Sequence, residues 1–279
     1  MNYSLGNMLG GGFVGGLDPD AKGYIDAVVA AGGAVSGGQK SAINTFVKTG
    51  KADGWYSSLK RMYLPIWAAA APNAIDMVGL TSGTFVGGMT HTAGYVTTDG
   101  TTGHFLSDVS PGGAGCTLDG TGVFALTTGA SALNLINTQR YFGAQSLSNL
   151  TRLFLAGSHN TARFASSGMN NSLFLTDLSA GDQRGVQFLG RNTSLSRFVL
   201  LRASSLLSNS QLSLSSAINS TIPMCWLAGN SNGAIANYAP NTAQLGAAGM
   251  TDGMAQADAE AFTDGLKTLW ETCTGLTLP

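Results

Sequence analysis

Cutting a glycosidic bond takes two carboxyl groups facing each other across a sugar, about 5–10 Å apart. Between Trp67 and Gly249 the chain offers only aspartate for such work: Asp76, Asp99, Asp108, Asp119, Asp177 and Asp182. No Glu occurs before Glu260, and no Lys lies between Lys60 and Lys267. Asp99 and Asp119 each precede Gly, where turn duty explains them. Asp182 falls in the hairpin-like loop Ser179-Ala180-Gly181-Asp182. Glu260 and Glu271 stand three helical turns apart on the outer side of a helix. No acid–base pair emerges, so no catalytic residue is assigned and the chain is not expected to be an enzyme. A polysaccharide depolymerase or lyase is the alternative reading.

Other chemistries have even less to stand on. His91, His104 and His159 are isolated, and no two of them have metal-ligand spacing. Ser158 and His159 are adjacent, but neighbouring strand residues point to opposite faces, so they make poor triad partners. No acidic loop of the EF-hand type occurs. Gly10-Gly11-Gly12-Phe13-Val14-Gly15 fits G-x-G-x-x-G, but it has no strand before it and no helix opening on it, so glycine abundance explains the match. Cys116, Cys225 and Cys273 are odd in number and include no C-x-x-C pair; they read as small buried hydrophobes made in a reducing cytoplasm. No cofactor and no metal are expected.

The remaining candidates work by contact. Tyr95 sits in a Gly/Thr-rich loop, and Tyr238 lies close to Asn237 and Pro240. These two are the aromatics best placed to offer a ring to a glycan, against the commoner fate of core packing. Arg140, Arg152, Arg163, Arg184, Arg191, Arg197 and Arg202 suggest a modestly cationic outer sheet suited to an acidic neighbour. Met8, Leu9 and Phe13 are apolar residues in a glycine-rich lead with no local core to join, and they are the expected anchoring and assembly contacts.

Composition agrees with contact over catalysis. Only 10% of residues are charged, against about 25% in an average domain. A net charge of −1 and the lack of any basic run exclude nucleic acid as a main partner. Few charges give weak colloidal repulsion, which favours life in an assembly as a homo-oligomer. The start lacks the pattern of a signal peptide, and no apolar stretch approaches the ~18 residues of a membrane span.

Four regions must position these residues. Residues 1–16 form the Gly-rich anchoring tail. Residues 17–65 read as a helical module. Asp18-Pro19 opens its first helix, which Gly32 and Gly33 stop. Ser36 with Gln39 opens a second as a capping box, ended by Gly50, and a third short helix runs from about Asp53 through Met62. Residues 66–250 alternate apolar and polar runs between turns, the pattern of a jelly-roll β-sandwich. The runs Ser172–Asp177 and Gly185–Arg191 are expected to form one hairpin. Residues 251–279 hold one C-terminal helix, with Phe262, Leu266, Leu269, Trp270 and Cys273 on the face that packs on the sandwich or on the first helices.

Taken as an ordered set, several segments resemble tailed-bacteriophage virion proteins. They are Asp20–Ile25, Gln39–Val47, Lys51–Tyr63, Thr98–His104, Leu227–Gly233 and Gly249–Asp252. In that family a helical module precedes a concanavalin A-like (laminin G-like) jelly roll. The resemblance implies a virion structural protein: a fibre, tail-tip or capsid-surface component made in a bacterial host. Its implied partners are other virion proteins and, for host attachment, a surface glycan. No catalytic residue is carried over.

Overall fold

The computed structural model describes residues 16–116, 120–129, 140–146, 151–157, 163–167, 175–179, 184–193, 196–212, 222–231, 233–236, 238–239 and 241–278. Helix α1 (Pro19–Ala30) starts where Asp18 accepts a hydrogen bond from the Asp20 N–H, with Pro19 in the first turn. Helix α2 (Gly37–Asp53) carries the full Ser36/Gln39 capping box. It passes through Gly50 and ends at Gly54, which takes the left-handed conformation (φ 90°). A 3-10 turn (Trp55–Ser58) then leads into β1 (Leu59–Tyr63), so the expected third helix is a strand.

Beyond the short α3 (Ala70–Asn73), the strands follow in chain order. They are β2 (Thr84–Val86), β3 (Met89–His91), β4 (Val96–Thr98), β5 (His104–Leu106), β6 (Thr121–Gly129), β7 (Arg140–Ser146), β8 (Thr151–Gly157) and β9 (Arg163–Ser167). Next come β10 (Leu175–Ser179), β11 (Gly185–Thr193), β12 (Ser196–Arg202), β13 (Leu206–Leu212), β14 (Cys225–Trp226), β15 (Gly229–Ser231), β16 (Ala234–Ala236) and β17 (Ala243–Asp252). Helix α4 (Gln256–Thr274) follows, capped by left-handed Gly275.

The strands form two sheets. The first runs β13-β12-β11-β6-β17-β4-β3, with β1 beside β4 along the same edge of β17. The second runs β10-β9-β8-β7-β14-β5-β2, with the β15/β16 hairpin joining through β7. This is the mainly β, jelly-roll sandwich expected from the alternating runs. The hairpin expected across residues 172–191 does not form, because β10 pairs in the second sheet and β11 in the first. The Asp99-Gly100 turn likewise crosses between sheets, from β4 to β5.

Side-chain alternation in β6 and β11 reveals a third layer. Val123, Ala125 and Leu189 point between the sheets, together with Phe105, Phe142 and Trp226. Phe124, Leu126, Val186 and Phe188 point the other way, into a core shared with α1, α2 and α4. Phe124, Phe188 and Phe198 stack across β6, β11 and β12 with interplanar angles of 1°. Phe262 of α4 lands edge-on upon this ladder, 4.8 Å from Phe124 and 5.9 Å from Phe188. Trp55 and Phe46 extend the aromatic contact to α2. The C-terminal helix therefore packs on both the sheet and the N-terminal helices. Arg191 is 1% exposed, so it is not part of an outward cationic face. Among the described residues no helix is long and apolar enough to cross a membrane.

Candidate functional site

The carboxylates come first, since their geometry decides what chemistry is open. Asp76 is fully buried and accepts hydrogen bonds from the N–H groups of Met62 (2.8 Å), Val78 (3.1 Å) and Gly79 (2.7 Å). Burial pushes its pKa up, against the pull of those N–H groups and of Arg61. Asp108 receives Arg61 Nε at 2.9 Å, Tyr63 Oη at 2.8 Å and Thr81 Oγ1 at 2.7 Å. Burial works to raise the Asp108 pKa, but the hydrogen bonds from Arg61, Thr81 and Tyr63 and the Arg61 charge outweigh it and lower it. Two carboxylates with opposed shifts are a pattern of acid–base sites. Here, however, the Arg61 guanidinium fills the space between them, and Asp76 is sealed from any substrate.

Asp99 is spent on its loop. It accepts from the N–H groups of Thr101 (2.9 Å), Thr102 (2.7 Å) and Gly103 (2.8 Å) and from Thr102 Oγ1. Those bonds, the Thr102 hydroxyl foremost, hold its carboxyl well below the usual range. Asp119, Asp182, Ser158, His159 and the Gly10–Gly15 string lie outside the described residues. Among the described residues no three His, Cys, Asp or Glu side chains gather as a metal site would require. Cys116 and Cys273 are pushed up to about 12 by burial, which leaves the thiols inert.

Tyr95 lines a cleft of about 380 Å³ with Thr128, Arg184, Gln244, Trp270 and Leu276. Each wall has a local cause. The turn before β4 is closed by the Thr92 N–H and Oγ1, which both donate to the Tyr95 carbonyl (3.0 and 2.8 Å). Gly94 takes φ +112°, and its carbonyl accepts the Trp270 Nε1–H at 2.8 Å, which ties the turn to α4. The end of β6 and the start of β17 pair side by side, and Thr128 Oγ1 donates to Gln244 Oε1 at 2.8 Å. That bond leaves the Gln244 amide NH2 as its donor end. The lip is the chain after α4. Glu271 holds it by accepting the Leu278 N–H at 2.8 Å, while its other oxygen pairs with Lys267 at 2.6 Å. The result is an aromatic ring beside an amide, a hydroxyl and a guanidinium.

Tyr238 is elsewhere. Its ring lies 6.0 Å from that of His104, beside the loop that Asp99 organises. Tyr95 directly precedes β4 and that loop directly follows it, so the two candidate tyrosines are not brought into one site. Both are half-buried. His91 is half-buried too, with Nδ1 2.9 Å from Asn73 Nδ2, and burial lowers its pKa. Met8, Leu9 and Phe13 lie outside the described residues. Sequence reasoning singled out Tyr95 and counted Arg184 among the arginines of a cationic sheet, but missed Thr128, Gln244 and Leu276, whose only common signal is their place at two strand ends and one helix end.

No protein family matches the sequence, and no curated protein matches it. Solved structures do. The receptor-binding domain of botulinum neurotoxin C/D mosaic serotype is similar over 75% of this chain and 51% of its own, with a TM-score of 0.50 at 8% identity. Domain 4 of AbnA, a GH43 extracellular arabinanase from Geobacillus stearothermophilus, solved with arabinotriose, aligns over 74% of this chain and 98% of its own (TM-score 0.46, 11% identity). The exoplasmic/lumenal domain of VIP36, in its Ca2+- and Man2-bound form, aligns over 72% and 91% (TM-score 0.41, 11% identity). At 8% identity the likeness to the neurotoxin domain concerns the fold alone, a jelly-roll β-sandwich.

Proposed function

We propose that this chain is a structural component of a bacteriophage particle, assembled through its N-terminal region, whose sandwich touches a host-surface saccharide at the Tyr95 cleft. The virion part rests on the ordered sequence resemblance. The contact part rests on one observation: the cleft sets a half-buried tyrosine ring beside Gln244, Thr128 and Arg184. Sugars are bound by such a combination, with an apolar ring face below and planar or hydroxyl hydrogen-bonding groups around it. Its volume lies at the small end of the roughly 300–1,000 Å³ usual for ligand sites. The sealing of Asp76 and the structural employment of Asp99 and Asp108 support action by contact and not by turnover.

Titrating the purified chain against host-surface oligosaccharides tests the cleft. Tyr95→Ala is expected to weaken binding about tenfold or more, the loss of one aromatic contact and its burial, with Tyr238→Ala near wild type. Saccharide binding that ignores Tyr95→Ala would move the site elsewhere. Release of shortened sugars on prolonged incubation would replace the contact reading with the depolymerase one. Proteomic and image analysis of phage particles tests the virion assignment separately.

A further inference from the structure

Helices α2 and α4 do not close completely upon each other. Between them runs an open groove of about 660 Å³. Its floor is apolar: Phe46, Trp55 and Leu269. Its walls are mostly small, with Thr45 and Thr49 on α2 and Gly265 and Thr268 on α4, and the carboxylates of Asp53 and Asp264 also line it. Small residues on facing helices admit the close approach of another main chain.

We propose that this groove receives the Met8–Phe13 stretch of a second copy of the chain. The lead matches it in three respects. Its glycines let the backbone run close to small walls. Met8, Leu9 and Phe13 supply bulky apolar groups for the floor. Residues 1–16 carry no Asp, Glu, Lys or Arg, so insertion desolvates no charged side chain of the lead. The chain's own lead is badly placed for the role. Lys48 Nζ donates to the Gly16 carbonyl at 3.3 Å and Asn44 Oδ1 accepts the Asp18 N–H at 2.7 Å, and neither Asn44 nor Lys48 lines the groove. Phe13 is then tethered by about 10 Å of fully extended chain, comparable to the width of a helix with its side chains. A neighbour's lead has no such restraint, and exchange of a segment between copies is a low-cost route to assembly.

This inference rests on the assembly part of the reading above, and its test is independent of any particle. Sedimentation of the full chain over a range of concentrations should show self-association. Thr268→Arg puts a long side chain at an exposed wall position and should weaken association about tenfold or more by obstructing the groove. Phe13→Asp should do the same, and the double variant should lose little beyond either single change. Thr45→Arg repeats the block from the opposite wall, should Thr268→Arg perturb the fold. Saccharide titration of the same variants should match wild type, which separates failure here from failure at the Tyr95 cleft. A chain that stays a single copy at every concentration, including one whose own lead fills the groove, overturns the proposal. So does association that ignores both arginine substitutions.

Discussion

Arg61 answers two carboxylates at once, and they respond in opposite senses. The pKa of Asp108 is held below its ordinary 3.8 by the arginine and its other partners. The stability it contributes is therefore complete above that ordinary value and is lost as pH falls through the depressed folded one. Asp99, depressed by the Thr102 hydroxyl and the loop N–H groups, acts in the same direction. Asp76 is raised by burial, so its contribution runs the other way, present at low pH and lost as pH rises through its folded value. Asp108→Asn should cost on the order of 1–3 kcal/mol at neutral pH. It should also flatten the fall of Tm between about pH 5 and pH 2, where depressed carboxylates take up protons. Melting curves across that range check both; an unchanged acid slope would remove Asp108 from the account. The Asp99 turn was legible because Asp-Gly states its own local duty. The Asp76–Arg61–Asp108 cluster was not, since its members are distant in sequence and Arg61 fell in a stretch read as helix. Tyr95 was legible as a ring in a Gly/Thr loop. Its neighbours Arg184, Gln244 and Leu276 reach it only through tertiary structure.

At the level of elements, local chemistry spoke clearly wherever it was self-contained. The Asp18-Pro19 start and the Ser36/Gln39 box both form. Ser36→Ala should cost about 1 kcal/mol in urea denaturation. The third helix failed for a visible reason. Leu59, Met62 and Tyr63 are buried at helix-like spacing because a register shift between Leu59 and Arg61 breaks the period of two that would have marked a strand. Gly50 misled in another way. It lies within α2 because an added Cβ would sit 2.5 Å from the Trp55 ring. Gly50→Ala thus sets two effects against each other: a helix preference of about 1 kcal/mol in favour and overpacking of about 1–3 kcal/mol against. With the indole locked among Phe46, Tyr56 and Phe262, net destabilisation is expected; a rise in Tm would show that the ring yields. Gly249 leaves less room for compromise. Its Cβ would stand 2.2 Å from the Arg61 carbonyl and 2.3 Å from the Phe124 ring. Gly249→Ala should lose about 1–3 kcal/mol or more, read by the same denaturation.

Across the whole molecule, the first sheet is a middle layer, with helices on one face and the second sheet on the other. Alternating runs disclosed the sandwich, but nothing local disclosed that Phe124 and Phe188 look away from it. That needed a partner for the second face, and the partner is Phe262, 138 residues beyond Phe124 and 74 beyond Phe188. Phe262→Ala should cost about 3–5 kcal/mol. Aromatic fluorescence and far-ultraviolet circular dichroism should still report one shared transition, because helices and sheet draw on a common core. Separate transitions would mean that the layers melt independently. The strand order has a further consequence for how the protein is made. β17, latest in sequence of the described strands, is not at an edge; it lies between β6 and the β4/β1 pair. On a ribosome, residues up to about 240 therefore emerge with the central seam of that sheet unfilled. The long loops to be closed make such assembly slow, and until the seam closes the flanking strands offer bare edges to any neighbouring nascent chain.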